Sequence, residues 1–111
     1  MQFSFSVFVA AALSVIPAMV NAQSSCGSGQ IELGVTGSNQ VIIFANDCGV
    51  IDQTEPGNTA ACNNGFIEGT NIICNNGDIT LINTPGGQFG GCVQSSNACG
   101  IVEDAICCRS V

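Results

Sequence analysis

The stretch Gln30-Ile31-Glu32-Leu33-Gly34-Val35-Thr36 alternates regularly enough to set the fold class. Ile31, Leu33 and Val35 fall on one side of an extended chain and Gln30, Glu32 and Thr36 on the other, the pattern of a half-buried strand. The cluster Gly37-Ser38-Asn39 then reads as a turn. The apolar run Val41-Ile42-Ile43-Phe44-Ala45 is short and β-branched, so it predicts a second strand and, with the first, a hairpin. Residues 47–61 hold Asp52, Glu55, Pro56, Gly57 and Asn58 with little periodicity and read as a loop. Residues 78–84 give a further strand that Pro85-Gly86-Gly87 closes, and residues 88–91 read as flexible. On this pattern the interior holds Ile31, Leu33, Val35, Val41, Ile43, Ile79 and Leu81.

Two stretches in the middle echo each other. Cys62-Asn63-Asn64-Gly65-Phe66-Ile67 and Cys74-Asn75-Asn76-Gly77-Asp78-Ile79 share C-N-N-G-x-I, and Cys26-Gly27-Ser28-Gly29-Gln30-Ile31 has the looser C-x-x-G-x-I. Each copy reads as a stapled turn feeding a strand, because Asn-Gly favours the positive φ of a tight turn. The units are too short and interrupted for a solenoid. Nearer the C-terminus, Ile101, Val102, Ala105 and Ile106 have the spacing of one short helix, with Ser95, Ser96 or Asn97 as its cap. The disulfide-bound cysteines and β-branched residues there suit an extended tail equally well.

The chain of 111 residues opens on an uncharged apolar stretch, residues 3–20, followed by Val20-Asn21-Ala22 and Gln23. Small residues flanking Asn21 fit a cleavage site, so residues 1–22 read as a signal peptide and residues 23–111 as a single domain. That domain carries all eight cysteines, all fourteen glycines and all nine charged side chains. Cysteine at about 9% of a short secreted chain is the composition of a disulfide scaffold. Cys26, Cys48, Cys62, Cys74, Cys92, Cys99, Cys107 and Cys108 are therefore expected in four disulfides, whose pairing the spacing leaves open. One constraint is local: in an extended strand Cys107 and Cys108 leave on opposite faces and must bridge to different elements.

Charge and side-chain chemistry exclude several functions. The formal charge is −7, Arg109 is the only basic side chain, and His, Lys, Trp and Tyr are absent. Nucleic acid and anionic membranes would repel such a chain, so neither is an expected partner. Serine nucleophiles have no His or Lys base and the cysteines are oxidised, so no catalytic residue is expected. Glu103 with Asp104, or Asp47 with Asp52 and Glu55, are the only conceivable acid pairs. A sugar-cleaving site normally also wants Trp or Tyr, and calcium binding wants a D-x-D-x-D-G loop, which is missing. The acids read as a solvated face. No cofactor and no metal are expected.

In format, with a signal, eight cysteines, many Gly and Asn and almost no Lys, the chain resembles the small secreted cysteine-rich proteins of filamentous fungi, many of them host-directed effectors. The resemblance implies an extracellular, non-enzymatic interaction protein acting on a host or cell-wall protein or glycan. Hydrophobins share the signal, the eight cysteines and the apolar composition, and would imply a surface-active coat protein instead. Their cysteine order has two adjacent pairs, whereas here only Cys107-Cys108 is a doublet and no further cysteine follows it.

Overall fold

The computed structural model describes residues 23–111, and the signal peptide read over residues 1–22 lies outside them. Seven strands follow one another: β1 (Ile31–Thr36), β2 (Val41–Phe44), β3 (Val50–Gln53), β4 (Asn71–Asn75), β5 (Asp78–Thr84), β6 (Gly87–Gln94) and β7 (Ile101–Ser110). They form one sheet in the order β3-β2-β1-β7-β6-β5-β4, every neighbour antiparallel. Two three-stranded meanders are thus joined by the last strand, which inserts between β1 and β6. The sheet curls into a half-barrel.

The expected hairpin forms, with Leu33 opposite Ile43 and Val35 opposite Val41. Ile31, Leu33, Val35, Val41 and Ile43 are buried in one cluster with Ile72, Ile82, Phe66 and Cys108. In the run from Val41 to Phe44, all but the half-buried Ile42 are buried. The other side of β1 departs from the half-buried expectation: Glu32 is 0% and Thr36 7% exposed. A second cluster of Phe44, Ile101 and Ala105 lies away from the main core. Residues 23–30 lie as a strap over β1, held by the Cys26–Cys107 disulfide and by Asn46, whose Nδ2 donates to the carbonyls of Cys26 and Gly27.

Bulges explain the remaining differences. From Leu33 to Thr36 on β1 the partners on β7 run from Ile106 to Ile101, so β7 spends two extra residues on the same length of strand. Those insertions turn a period of two into the helix-like spacing of Ile101, Val102, Ala105 and Ile106, and the short C-terminal helix expected there is strand β7. A bulge at Thr80 likewise reverses parity along β5. Ile79 packs against the core and Ile82 is buried within it, while Leu81, expected inside, is only half-buried. Residues 88–91, read as flexible, belong to β6, where Gly91 with φ 58° forms a bulge opposite Arg109 and Cys108. The loop read over residues 47–61 contains β3, a four-residue edge strand whose only fully buried member is an acid, Asp52.

The eight cysteines pair as Cys26–Cys107, Cys48–Cys99, Cys62–Cys74 and Cys92–Cys108. Cys107 and Cys108 do bridge in different directions, one to the strap and the other to β6. The cysteines heading the two C-N-N-G copies pair with each other. In the second copy, Asn76 and Gly77 have φ of 54° and 85° and form the two-residue turn between β4 and β5. The first copy feeds no strand. Its Asn64 amide instead accepts from the Ile72 N–H at 2.5 Å and donates to the Ile72 carbonyl at 3.1 Å, occupying the free edge of β4 as a strand would.

Candidate functional site

The concave side of the half-barrel is open over part of its core. A cleft of about 710 Å³ lies there, with Leu33, Val35, Val41 and Ile106 in its floor and Ile79 and Val93 on its walls. Residues 59–62, which run into the 3-10 turn Ala61–Asn63, form one side. The volume lies in the range of small-ligand sites, and an apolar floor with few polar groups is their usual composition.

Two carboxylates line this cleft. Asp78 follows the Asn76-Gly77 turn and begins β5, so the tight turn sets its position. Asp104 is a bulge residue of β7 with φ 62°, a left-handed conformation that Asp tolerates better than most side chains. Gly34 permits this bulge to lie close to β1. A Cβ there would stand 2.6 Å from Ile101 Cγ2, 3.1 Å from the Glu103 carbonyl oxygen and 3.2 Å from Ala105 Cα. Both acids are exposed, and neither carboxylate accepts a hydrogen bond from the described residues. Arg109 is not in the cleft; its guanidinium lies over Gly91, where a Cβ would meet Cζ at 2.7 Å.

The other weighed acids have structural work. Glu32 accepts from Ser24 Oγ at 2.8 Å and the Ser25 N–H at 3.1 Å on one oxygen, and from Ser25 Oγ at 3.0 Å and Ser95 Oγ at 3.2 Å on the other. Asp52, 1% exposed, accepts the amides of Gln53 and Glu68 on Oδ1 at 2.7 and 2.8 Å and that of Thr70 on Oδ2 at 3.0 Å. Burial pushes the Asp52 carboxyl up, but the Thr70 hydroxyl and the three amides outweigh it and hold the acid below its ordinary value. The Thr70 hydroxyl is buried without full hydrogen-bond geometry to any protein group, so the amides are the firm contacts.

These contacts give Asp52 a place in the architecture. It sits on β3 at one edge of the sheet and holds residues 68–70, which lead directly into β4 at the other edge. Thr54 and Phe66 bridge alongside it, and the Ile67 N–H donates to the Gln53 carbonyl at 2.9 Å. Asp47 turns onto the Gly49 N–H at 2.9 Å, and Glu55 is exposed. Asp47, Asp52 and Glu55 are therefore not gathered into one oxygen cage, and no metal-ligating cluster of three or more His, Cys, Asp or Glu occurs among the described residues. Glu103 and Asp104, adjacent on β7, do not form a pair in the cleft: only Asp104 lines it.

Comparison with protein-family models, curated proteins and solved structures returned no match. What the molecule defines directly is a class: a small antiparallel β domain with four disulfides, suited to an oxidising, extracellular environment.

Sequence reasoning missed Asp78 as a cleft residue. Its signal was present in the Asn76-Gly77 turn, which fixes the first residue of the following strand at a hairpin end. Nothing local marks the cleft itself, because its floor comes from β1, β2 and β7, which lie up to about 70 positions apart in the chain.

Proposed function

We propose that this chain is a secreted, non-catalytic binding protein of the effector type, acting outside the cell on a host or cell-wall partner through the concave cleft. The observation that carries the reading is the cleft itself, an apolar hollow of about 710 Å³ held open on a scaffold with four disulfides. A staple-held concave surface is preorganised, so little ordering cost is left to binding. The hollow at β3, about 350 Å³, is the weaker candidate because its acid, Asp52, is already consumed by amides.

The film-forming alternative loses its main motive, since Val41, Ile43 and Phe44 are interior. Its remaining support is the exposed apolar side chains Val50, Ile67, Ile73, Val93, Val102 and Val111, of which Val50 and Ile67 share the hollow at β3 and Val93 lines the cleft. Labelled protein should bind intact host cells or isolated cell walls saturably. Val93→Arg, at a cleft position 62% exposed, should abolish that binding, and Val50→Arg, 54% exposed outside it, should not. Equal binding by both variants, or none by the native chain, overturns the cleft reading. A sharp fall in the surface tension of water at micromolar protein favours the coat instead.

A further inference from the structure

We infer that the cleft takes a basic, aliphatic segment of a protein partner, an extended stretch with lysine or arginine at alternate positions. This rests on the cleft being the binding surface and adds the chemistry of what it binds.

Charge complementarity carries the inference. The only charged side chains lining the cleft are Asp78 and Asp104, both exposed and both without hydrogen-bond partners among the described residues. The chain has one basic residue with which to neutralise them, and Arg109 lies over Gly91 outside the cleft. An anionic ligand would meet repulsion from both walls and from a formal charge of −7. A neutral apolar ligand would use the floor but leave two carboxylates partly desolvated without compensation. A cation with an apolar body satisfies both surfaces.

Placement on two strands favours two cations over one. Asp78 is on β5 and Asp104 on β7, with β6 between them, so a single cationic head does not sit on one strand with both carboxylates. Alternate residues of an extended peptide project to one face, and their flexible lysine stems let each cation reach its own carboxylate. Aliphatic residues beside those cations would meet Ile79, Val93 and the floor around Val35.

The test uses the oxidised mature protein and three capped peptides: Leu-Lys-Leu-Lys-Leu, the same peptide with both lysines Nε-acetylated, and Leu-Glu-Leu-Glu-Leu. Amide chemical shifts would be followed by NMR titration. The lysine peptide should perturb Ile79, Val93 and Asp104 and bind at least roughly fourfold more tightly than its acetylated twin, from two partly exposed pairs. In a protein carrying Asp78→Asn and Asp104→Asn that gap should close, and added salt should narrow it in the native protein. Asparagine tolerates the left-handed backbone at 104, and an unchanged amide spectrum verifies the fold. Equal binding of the lysine and acetylated peptides at the cleft overturns the inference while leaving the cleft reading standing. Perturbation confined to Glu55, Glu68 and Glu103 would show diffuse attraction to an acidic chain and overturn it too. Absence of binding by all three peptides overturns it as well, and the Val93→Arg experiment then decides the cleft reading separately.

Discussion

Glu32 under the N-terminal strap and Asp52 at the edge of the half-barrel are both buried carboxylates without a cationic partner, yet they are satisfied by different kinds of donor. Asp52 rests on three backbone amides, whose direction is fixed by the chain. Glu32 rests on one amide and three serine hydroxyls, which can rotate and can accept as well as donate. Rigid donors tune an acid and commit it to the charged form. Rotatable ones tolerate chemical change at the acid they surround. The two regions should therefore respond in opposite ways to the same substitution, acid to amide.

The largest effect should come from releasing the strap. Replacing Cys26 and Cys107 together by Ala opens a link spanning 81 positions and should cost about 2–5 kcal/mol of unfolding free energy in urea titration. The comparison sharpens in hydrogen exchange. The amide of Ser25 should lose protection at once, whereas those of Glu68 and Thr70, which belong to the Asp52 region, should stay protected until global unfolding. Simultaneous loss at both places would show that the strap and the sheet edge form one cooperative unit.

Asp52→Asn comes next. Asparagine has one acceptor oxygen, so if it retains Gln53 and Glu68 its NH2 group must face the Thr70 N–H, donor against donor in a buried site. The expected loss is about 2–4 kcal/mol by chemical denaturation, with Asp52→Ala at least as harmful. A cost below about 1 kcal/mol would mean that water replaces the carboxylate and that the edge is not latched as described.

Much of this architecture was legible from residues 30–45, where alternation and a turn cluster give β1, β2 and their hairpin. Legibility fails where the strand period is broken. The two extra residues in β7 imitate a helix, the bulge at Thr80 exchanges Leu81 for Ile82 in the core, and the glycines of β6 mask a strand as a flexible linker. The roles of the acids were hidden for a different reason. The hydroxyls around Glu32 come from positions 24, 25 and 95, and the amides around Asp52 from 53, 68 and 70, so neither set forms a local motif. Asp104 was visible as an acid beside Glu103, but which member of the pair faces the cleft depends on the bulges of β7, which change the parity along the strand.

Acid should probe the Asp52 region selectively. Its folded pKa lies below the ordinary aspartate value, so its contribution is complete above that value, near pH 4, and is lost as pH falls through the lowered folded value. Unfolding free energy measured between pH 5 and 2 should therefore drop more steeply for the native protein than for Asp52→Asn, which has no proton to take up at that position. Identical slopes would show that the latch does not titrate with the fold.

Glu32→Gln should be the mildest change, and it tests the comparison most directly. The glutamine oxygen can keep the Ser24 hydroxyl and the Ser25 N–H, leaving Nε2 where Oε2 now stands. Ser25 Oγ lies 2.8 Å from the Ser96 carbonyl and Ser95 Oγ lies 3.4 Å from it, so both hydroxyl protons can swing to that oxygen. Each serine lone pair is then free to accept from Nε2, and no buried donor or acceptor is abandoned. A loss of less than about 1 kcal/mol is expected, against several times that for the same exchange at Asp52. If Glu32→Gln instead destabilises as much as Asp52→Asn, the charge of Glu32 is what holds the strap, and the freedom of the serine hydroxyls does not matter.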